Sequence, residues 1–161
     1  MGSVFITGGS RGIGAACVRA FAEAGRPAAF TYSARRDKAE ALAAETGALA
    51  LCADSADRDA VENAVKTARE SLGAIDTVVC NAGIAQQKLF QDITDDEWLT
   101  MLNVNLMGAV RTIRAALPDM LHRQKGSIVI VSSMWGERGA SCESHYAASK
   151  AALIGLSKSL A

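Results

Sequence analysis

The segment TGGSRGIG, residues Thr7–Gly14, decides the fold of this chain. It joins a short apolar strand candidate, Ser3–Thr7, to a predicted helix, and Gly8, Gly12 and Gly14 have the spacing Gly-x-x-x-Gly-x-Gly. Glycine allows positive φ and lets the backbone approach a ligand closely. The start of the helix offers free N–H groups and the positive end of its dipole to a pyrophosphate. The strand-to-helix context therefore favours a dinucleotide site over a tight turn without a ligand.

Strand and helix candidates alternate along the whole chain. Further strands are predicted at Pro27–Tyr32, Ala48–Ala53, Thr77–Cys80 and Ser127–Ser132. Helices are predicted at Gly12–Ala24, Lys38–Glu45, Asp57–Leu72, Thr94–Leu117 and around Tyr146 and Lys150. Thr94 and Glu97 have the spacing of a capping box at the start of the fourth helix. Short apolar strands separated by helices imply a parallel sheet with helices on both faces. We therefore predict a single α/β domain over residues 1–161, a three-layer Rossmann-type doubly wound sheet.

The composition excludes several classes of function. The chain has 161 residues, 50% of them hydrophobic, which is enough for one domain with a sizeable core. Its 17 basic and 17 acidic residues give zero net charge, so neither nucleic acid nor an anionic membrane is favoured as a partner. Cys17, Cys52, Cys80 and Cys142 are widely spaced, which indicates reduced cytosolic thiols rather than a disulfide framework or a metal site. With no secretory signal or membrane-spanning pattern, we expect a cytoplasmic protein.

The end of the second strand bears on the choice of cofactor. An acidic residue there would bind a free ribose 2′-hydroxyl, but this chain has Arg35 and Arg36 and no acid before Asp37. Arg11 lies inside the glycine segment. Because guanidinium groups suit a phosphate, these arginines favour NADP(H) over NAD(H). The interpretation of Arg35 and Arg36 as part of a solvated loop stays open.

Tyr146 and Lys150 have a spacing typical of a proton-transferring pair. Residues i and i+4 share one face of a helix. A nearby ammonium favours the phenolate over a phenol whose free pKa is about 10, so the pair can pass a proton near neutral pH. An exposed Tyr and Lys would show the same spacing, but the glycine segment and the upstream pair Ser132 and Ser133 favour catalysis. His145 is expected on the opposite helix face, with no acid–base role.

Taken together, these motifs resemble the short-chain dehydrogenase/reductase family over the whole chain. Thr7–Gly14 is similar to the family's cofactor loop, and Asp54 matches its adenine-contacting aspartate. Asn81-Ala82-Gly83 matches the Asn-Ala-Gly motif, although Cys80 stands where the family usually has another Asn. With the arginines above, the resemblance implies a cofactor-binding set of Gly8, Ser10, Arg11, Gly12, Ile13, Gly14, Arg35, Asp54, Asn81, Ala82, Gly83, Tyr146 and Lys150.

The resemblance also implies a catalytic set. Asn105 matches the family's helix asparagine, and Ser133 lies 13 residues before Tyr146, the usual gap. In the implied reaction a hydride passes between the nicotinamide and a carbonyl carbon. Tyr146 would give a proton to the developing alkoxide, while Lys150 would lower the tyrosine pKa and bind the ribose. Ser133 would hydrogen-bond the carbonyl oxygen, and Asn105 would hold a water that links Lys150 to solvent.

Each of these residues also has a structural interpretation. Asp54 could be a helix N-cap, Asn81 could satisfy loop backbone, and Asn105 could be a polar residue in a helix groove. Ser132 could replace Ser133 as the functional hydroxyl, although the spacing to the tyrosine favours Ser133.

The substrate is less narrowly defined by the resemblance. Residues 80–160 look most like the 3-oxoacyl-carrier-protein reductase branch. The segments Ser132–Gly136 and Gly139–Glu143 also resemble a smaller group that reduces a 5-aminopentanone modification on elongation factor P, in which case Glu143 could attract the amine. The expected substrate is therefore a small-molecule or carrier-bound ketone.

The family normally continues beyond the position of Ala161, with a sixth and a seventh strand, a Pro-Gly loop and a substrate lid. The fold is therefore expected to lack the last strands of the family. Two hypotheses therefore stand beside that of a reductase: a truncated, catalytically silent remnant that binds nucleotide or dimerises, and a fragment of an ordinary enzyme. In the family the Asn105 helix and the last helix pack against partner subunits in a homodimer or homotetramer. If 161 residues are the whole protein, we expect self-association and negligible reductase activity, because the last helix leaves an apolar face open through Ala147, Ala151, Ile154, Leu156 and Leu160.

Overall fold

A parallel sheet of five strands forms the centre of the molecule. The computed structural model describes residues 2–161, and its strands are β1 Ser3–Ile6, β2 Ala28–Tyr32, β3 Leu49–Cys52, β4 Ile75–Cys80 and β5 Ser127–Ile130. Their order is β3-β2-β1-β4-β5, and every neighbouring pair is parallel. The predicted Rossmann-type sheet is confirmed. The order reverses between β1 and β4, and ligands of such sheets bind beyond the carboxyl ends of the strands at this point.

Helices cover both faces of the sheet. They are α1 Gly12–Glu23, α2 Arg36–Thr46, α3 Arg58–Leu72, α4 Asp95–Leu102, α5 Gly108–Arg123, α6 Trp135–Arg138 and α7 Ser144–Leu160. The first two pack on one face, and α3, α5 and α7 pack on the other. Because β1 is central, it is buried on both faces: Val4 and Ile6 join one apolar cluster, while Phe5 joins the other.

The helix predicted over Thr94–Leu117 differs from the structure in two ways. It extends to Arg123, past Pro118, and it is interrupted by a π-helical turn at Asn103–Met107. Gly108 closes this turn, and a Cβ added there would lie 2.8 Å from the Cβ of Ser55, so the segment sits directly on the loop after β3. Such wide turns are frequent at functional sites, and the sequence pattern gave no sign of this one.

The strand β5 forms one edge of the sheet within residues 2–161. Val129 is 48% exposed on it, and a groove of about 790 Å³ runs between β5, α5 and the end of α7. The predicted open face of α7 is only partly present. Ala147 is buried inside the domain, whereas Ala151 and Leu160 are exposed. None of the helices in the described part of the chain combines the length and apolarity that crossing a membrane requires.

Candidate active site

The glycine segment forms a tight loop between β1 and α1. Gly8 and Gly12 have φ values of 66° and 56°, in the left-handed region that glycine adopts without strain. Gly14 fits against the loop itself, since a Cβ added to it would lie 2.3 Å from the carbonyl oxygen of Gly8. The predicted glycine pattern therefore combines two different requirements, a left-handed backbone at two positions and lack of space at the third.

Asn81, just beyond β4, ties this loop in place. Its Nδ2 donates to the carbonyl oxygens of Thr7 (3.1 Å) and Gly8 (3.0 Å). The hydroxyl oxygen of Thr7 in turn accepts from the backbone N–H groups of Asn81 and Ala82, both at 3.0 Å. The side-chain donors of Asn81 are thus used within the protein, which favours its structural interpretation. The sequence did not single out Thr7 as a site residue, although a hydroxyl between a strand and a glycine loop could have indicated this bonding role.

The first turn of α1 is open to an anion. Arg11 is its N-cap and makes no side-chain capping bond, and the turn holds no acidic residue. Its N–H groups therefore lack the usual side-chain acceptors. Arg11 is exposed and has no ion pair within residues 2–161, and Ile13 is 63% exposed beside it. The open helix end and the unpaired guanidinium suit a pyrophosphate and a further phosphate.

Arg35 and Arg36 lie on the surface at the start of α2 and already have partners. Arg35 pairs with Asp37 (Nη2 to Oδ2, 2.7 Å), and Arg36 pairs with Glu40 (Nε to Oε1, 2.7 Å). The hydrogen bond from Arg35 holds the pKa of Asp37 at about 2. Exposed pairs of this kind are worth little, so a phosphate can compete for either guanidinium. The cofactor role of Arg35 stays a prediction.

Asp54 is exposed and follows β3, so that it lies, like the glycine loop, at the carboxyl ends of the strands. Its Oδ1 accepts from the backbone N–H of Ala56 at 2.9 Å. The N-cap of α3 is Asp57, whose side chain accepts from the N–H of Ala60. The interpretation of Asp54 as a helix N-cap is therefore wrong, and its contact with an adenosine stays a prediction.

Tyr146 and Lys150 lie together on α7, as their spacing predicts. The Lys150 Nζ is 5.7 Å from the centre of the Tyr146 ring and donates to the carbonyl oxygen of Val131 at 2.9 Å. Lys150 is only 4% exposed, and this burial lowers the pKa of its ammonium. The fold thus holds a positive charge in a poorly solvated place beside the phenol.

Asn105 lies in the π-helical turn and is 1% exposed. Its Oδ1 accepts from the N–H of Ile84 (2.8 Å), and its Nδ2 donates to the carbonyl oxygen of Ile84 and the hydroxyl of Ser149, both at 3.0 Å. A Cβ added to Gly83 would lie 3.1 Å from this Oδ1 and 3.5 Å from the Lys150 Nζ, so the three residues meet. Both Nδ2 hydrogens are used by protein, which leaves a water only the remaining lone pair of Oδ1.

The two serines after β5 have different surroundings. The Ser132 hydroxyl donates to the carbonyl oxygen of Lys150 at 2.8 Å, so it anchors α7 to the sheet. The Ser133 hydroxyl accepts from the N–H of Trp135 at 3.2 Å, and its own hydrogen has no acceptor within residues 2–161. The hydrogen of Ser133 is therefore free to bond a ligand. This agrees with the preference for Ser133 over Ser132 that follows from its spacing to Tyr146.

The loop after β4 is held by Glu97 of α4. The capping box predicted for Thr94 and Glu97 is present, and the Glu97 carboxylate also accepts from Lys88 Nζ (2.8 Å) and Gln86 Nε2 (2.9 Å). These bonds, led by that from Lys88, hold the pKa of Glu97 at about 2, below its ordinary 4.5.

This depressed pKa predicts a pH-dependent part of the stability. A folded-state pKa below the unfolded value gives a contribution that is present above pH 4.5 and is lost as the pH falls towards about 2. Glu97→Gln should therefore lower the free energy of unfolding at pH 7, and the difference between the two chains should narrow as the pH falls below 4.5. Urea unfolding of both chains at a series of pH values measures this, and a difference that does not change with pH would contradict it.

Comparison with known proteins agrees with this geometry. The family model for short chain dehydrogenases matches residues 3–161. An acetoacetyl-CoA reductase of Synechocystis sp. is 39% identical over 158 residues, which are 98% of this chain and 63% of the relative. A 3-oxoacyl-[acyl-carrier-protein] reductase of Staphylococcus aureus is 37% identical over 164 residues, covering 99% of this chain and 67% of the relative.

Solved structures give the same result. A short chain dehydrogenase from Burkholderia cenocepacia in complex with NADP superimposes with a TM-score of 0.90 at 38% identity, covering 99% of this chain and 66% of that one. A blue fluorescent protein from a metagenomic library, in complex with NADPH, also has a TM-score of 0.90 at 38% identity, with 99% and 67% covered. This chain spans about two thirds of the length of these relatives. It belongs to the short-chain dehydrogenase family.

Proposed function

We propose that this chain forms the cofactor-binding and catalytic part of an NADPH-dependent ketoreductase. The observation that carries the proposal is the buried Lys150 ammonium beside the Tyr146 ring, close to Gly83 in the loop after β4, near the point where the strand order reverses. The reductase relatives and the NADP- and NADPH-bound structures support the same reaction class.

The residues of this chain fit NADP(H). The open first turn of α1 and the unpaired Arg11 suit its phosphates, and no acidic side chain follows β2 before Asp37. When bound, NADPH supplies the hydride. The reaction also needs a proton donor next to the reacting carbonyl, which is the part left to the protein.

Tyr146 supplies that proton. The Lys150 charge stabilises the phenolate that remains after the phenol has protonated the alkoxide oxygen. The free hydrogen of Ser133 is available to donate to the same oxygen while negative charge develops on it. Asn105 joins the loop after β4 to α7, because it bonds Ile84 and Ser149, and so holds the two walls of the site together.

A loss of NADPH absorbance in the presence of a ketone tests the proposal. In a chain that includes the C-terminal part its relatives have, NADPH should be oxidised with acetoacetyl-CoA or a 3-oxoacyl thioester, and no such loss of absorbance should occur without ketone. Tight NADPH binding with no turnover on any ketone would favour the alternative, a noncatalytic nucleotide-binding or dimerising domain.

A second substrate is favoured by Glu143. Its carboxylate accepts from Gln87 Nε2 at 3.1 Å and has no cationic partner within residues 2–161, so it can attract an amine. This supports the 5-aminopentanone modification of elongation factor P as the alternative substrate. This alternative would be supported by a higher kcat/KM for an aminoketone than for acetoacetyl-CoA, provided that the difference disappears in Glu143→Gln.

We further propose a cytoplasmic homodimer or homotetramer. Phe90 and Leu99, before and on α4, are 68% and 63% exposed, so this side of the domain offers apolar surface to another subunit.

Arg11→Ala should weaken NADPH binding and change NADH binding little. Each charge-assisted bond to the phosphate is worth about 1.5–3 kcal/mol, which is roughly ten- to hundredfold in Kd. Fluorescence titration with the two cofactors measures the change. Arg123→Ala, at the far end of α5, is the matched control and should affect neither. Equal affinity of the unmodified chain for the two cofactors would contradict the predicted specificity.

A further inference from the structure

A buried histidine lies next to the catalytic tyrosine and has no part in the reaction described above. His145 is 0% exposed, and its Nε2 is 2.9 Å from the Oε1 of Gln86. Its Nδ1 is buried and has no hydrogen-bond partner within residues 2–161. The ring also packs against Trp98, with 5.8 Å between ring centres. The side chain is therefore a specific link between α7 and the loop after β4.

Glu97 fixes the orientation of the Gln86 amide. The ionised carboxylate of Glu97 can only accept hydrogen bonds, and it accepts from Gln86 at 2.9 Å as well as from Lys88 and the N–H of Thr94 at 2.8 Å. The Gln86 amide must therefore turn its NH₂ group to Glu97 and its oxygen to His145. The reverse orientation would place two oxygens against each other.

The amide orientation then fixes the tautomer of His145. Because the amide oxygen of Gln86 can only accept, the hydrogen of the neutral imidazole must lie on Nε2. The unpartnered Nδ1 is then the bare nitrogen. A carboxylate on α4 thus determines, through one glutamine, the hydrogen position on a side chain of α7.

The start of α7 depends on this link. Its N-cap, Glu143, makes no side-chain capping bond, so the first turn lacks the usual stabilisation. Two backbone bonds tie this turn locally, from the N–H of Ala147 to the carbonyl oxygen of Glu143 and from that of Lys88 to Cys142, both at 2.8 Å. Gln87 also donates to the Glu143 carboxylate, and the Ser149 hydroxyl donates to the carbonyl oxygen of Tyr146 at 2.7 Å. The bond from His145 to Gln86 is a buried side-chain anchor within the first turn itself, whereas Ser149, which is bonded to Asn105, holds the turn that follows.

We infer that Gln86 is a positioning residue, which transmits the fixed orientation of Glu97 to His145 and thereby holds the first turn of α7, and Tyr146 with it, in place. The inference rests on the proposed function for the role of Tyr146 as proton donor. The anchoring of the turn rests on geometry alone.

The imidazole ¹⁵N and ¹H resonances of the chain test this directly, since it has two histidines and the other, His122, is exposed. In the unmodified chain His145 should show the Nε2–H tautomer with a slowly exchanging proton. Gln86→Met keeps the bulk and removes the acceptor. It should abolish that slow exchange, speed exchange of the Ala147 amide about tenfold and shift the Tyr146 ring signals.

Glu97→Gln tests transmission, because Glu97 does not bond His145. A glutamine can keep the capping box but can also donate, so the amide of Gln86 is no longer fixed. The imidazole proton of His145 should therefore exchange faster in this variant than in the unmodified chain. Glu143→Gln makes the same change beside the neighbouring Gln87 and should leave that proton unaffected.

Two results would overturn the inference. In Gln86→Met, the imidazole proton would stay protected and the Ala147 amide would exchange within about twofold of its rate in the unmodified chain. Alternatively, the His145 spectra of Glu97→Gln and Glu143→Gln would be identical. In the ketone assay Gln86→Met should lower kcat about tenfold and leave the KM for NADPH within twofold. The spectra do not depend on turnover. A loosened turn in a protein whose activity survives Tyr146→Phe would support the anchoring and contradict the proposed function instead.

Discussion

Tyr146→Phe, in a chain that includes the C-terminal part its relatives have, should lower ketone reduction by 10²–10⁴-fold, the usual contribution of a positioned general acid. The substitution removes one hydroxyl and keeps the ring that lies 5.7 Å from the Lys150 Nζ. The loss is therefore expected in kcat, since the proton is needed in the transition state, while NADPH affinity and thermal stability should change little. Steady-state kinetics together with a cofactor titration measures both.

Tyr32→Phe is the matched control, because Tyr32 is the other tyrosine of the chain and lies at the end of β2. It should keep kcat within about twofold. If the Tyr146 variant retained more than about a tenth of the activity, the proton would have to come from another group.

The parts of the fold that sequence predicts well are those specified by neighbouring residues. The glycine segment, the Tyr146–Lys150 spacing and the Thr94 capping box are each contained in a few consecutive positions. Alternation of short apolar strands with helices was sufficient for the parallel sheet, because connections of that kind are right-handed and bring the strands side by side. The strand and helix ends differ from the predictions by a few residues.

The features that sequence did not predict depend on contacts between distant segments. The π-helical turn around Asn105 is stabilised by Ile84 and Ser149, which lie 21 and 44 positions away. Gln86 meets His145 across 59 positions, and no periodicity signals such a pair. His145 was expected on the helix face opposite Tyr146 with no acid–base role. The structure buries it against Gln86, a specific partner that the pattern could not indicate.

The second large effect is expected from substitutions in the glycine loop, where Gly14 and Gly12 are required for different reasons. In Gly14→Ala the new Cβ would lie 2.3 Å from the Gly8 carbonyl oxygen and 2.6 Å from the Asn81 Nδ2. Neither group can move away easily, since both belong to the hydrogen-bonded junction of β1 and β4. We expect a loss of about 3 kcal/mol in the free energy of unfolding, at the upper end for overpacking, and loss of measurable NADPH binding.

Gly12→Ala is the contrast, because a Cβ there meets no atom within 4 Å and the cost comes from its φ of +56° alone. Left-handed backbone costs an alanine about 1–2 kcal/mol, so this variant should stay folded and bind NADPH more weakly than the unmodified chain. Urea unfolding and cofactor titration of both variants measure the difference. If the two unfolded at the same urea concentration and bound NADPH equally, the close packing of Gly14 on Gly8 would not be what the motif requires. If Gly14→Ala is instead the less stable variant and the weaker NADPH binder, as expected, Gly14 allows the ends of β1 and β4 to meet. Gly12 then shapes the backbone that faces the pyrophosphate.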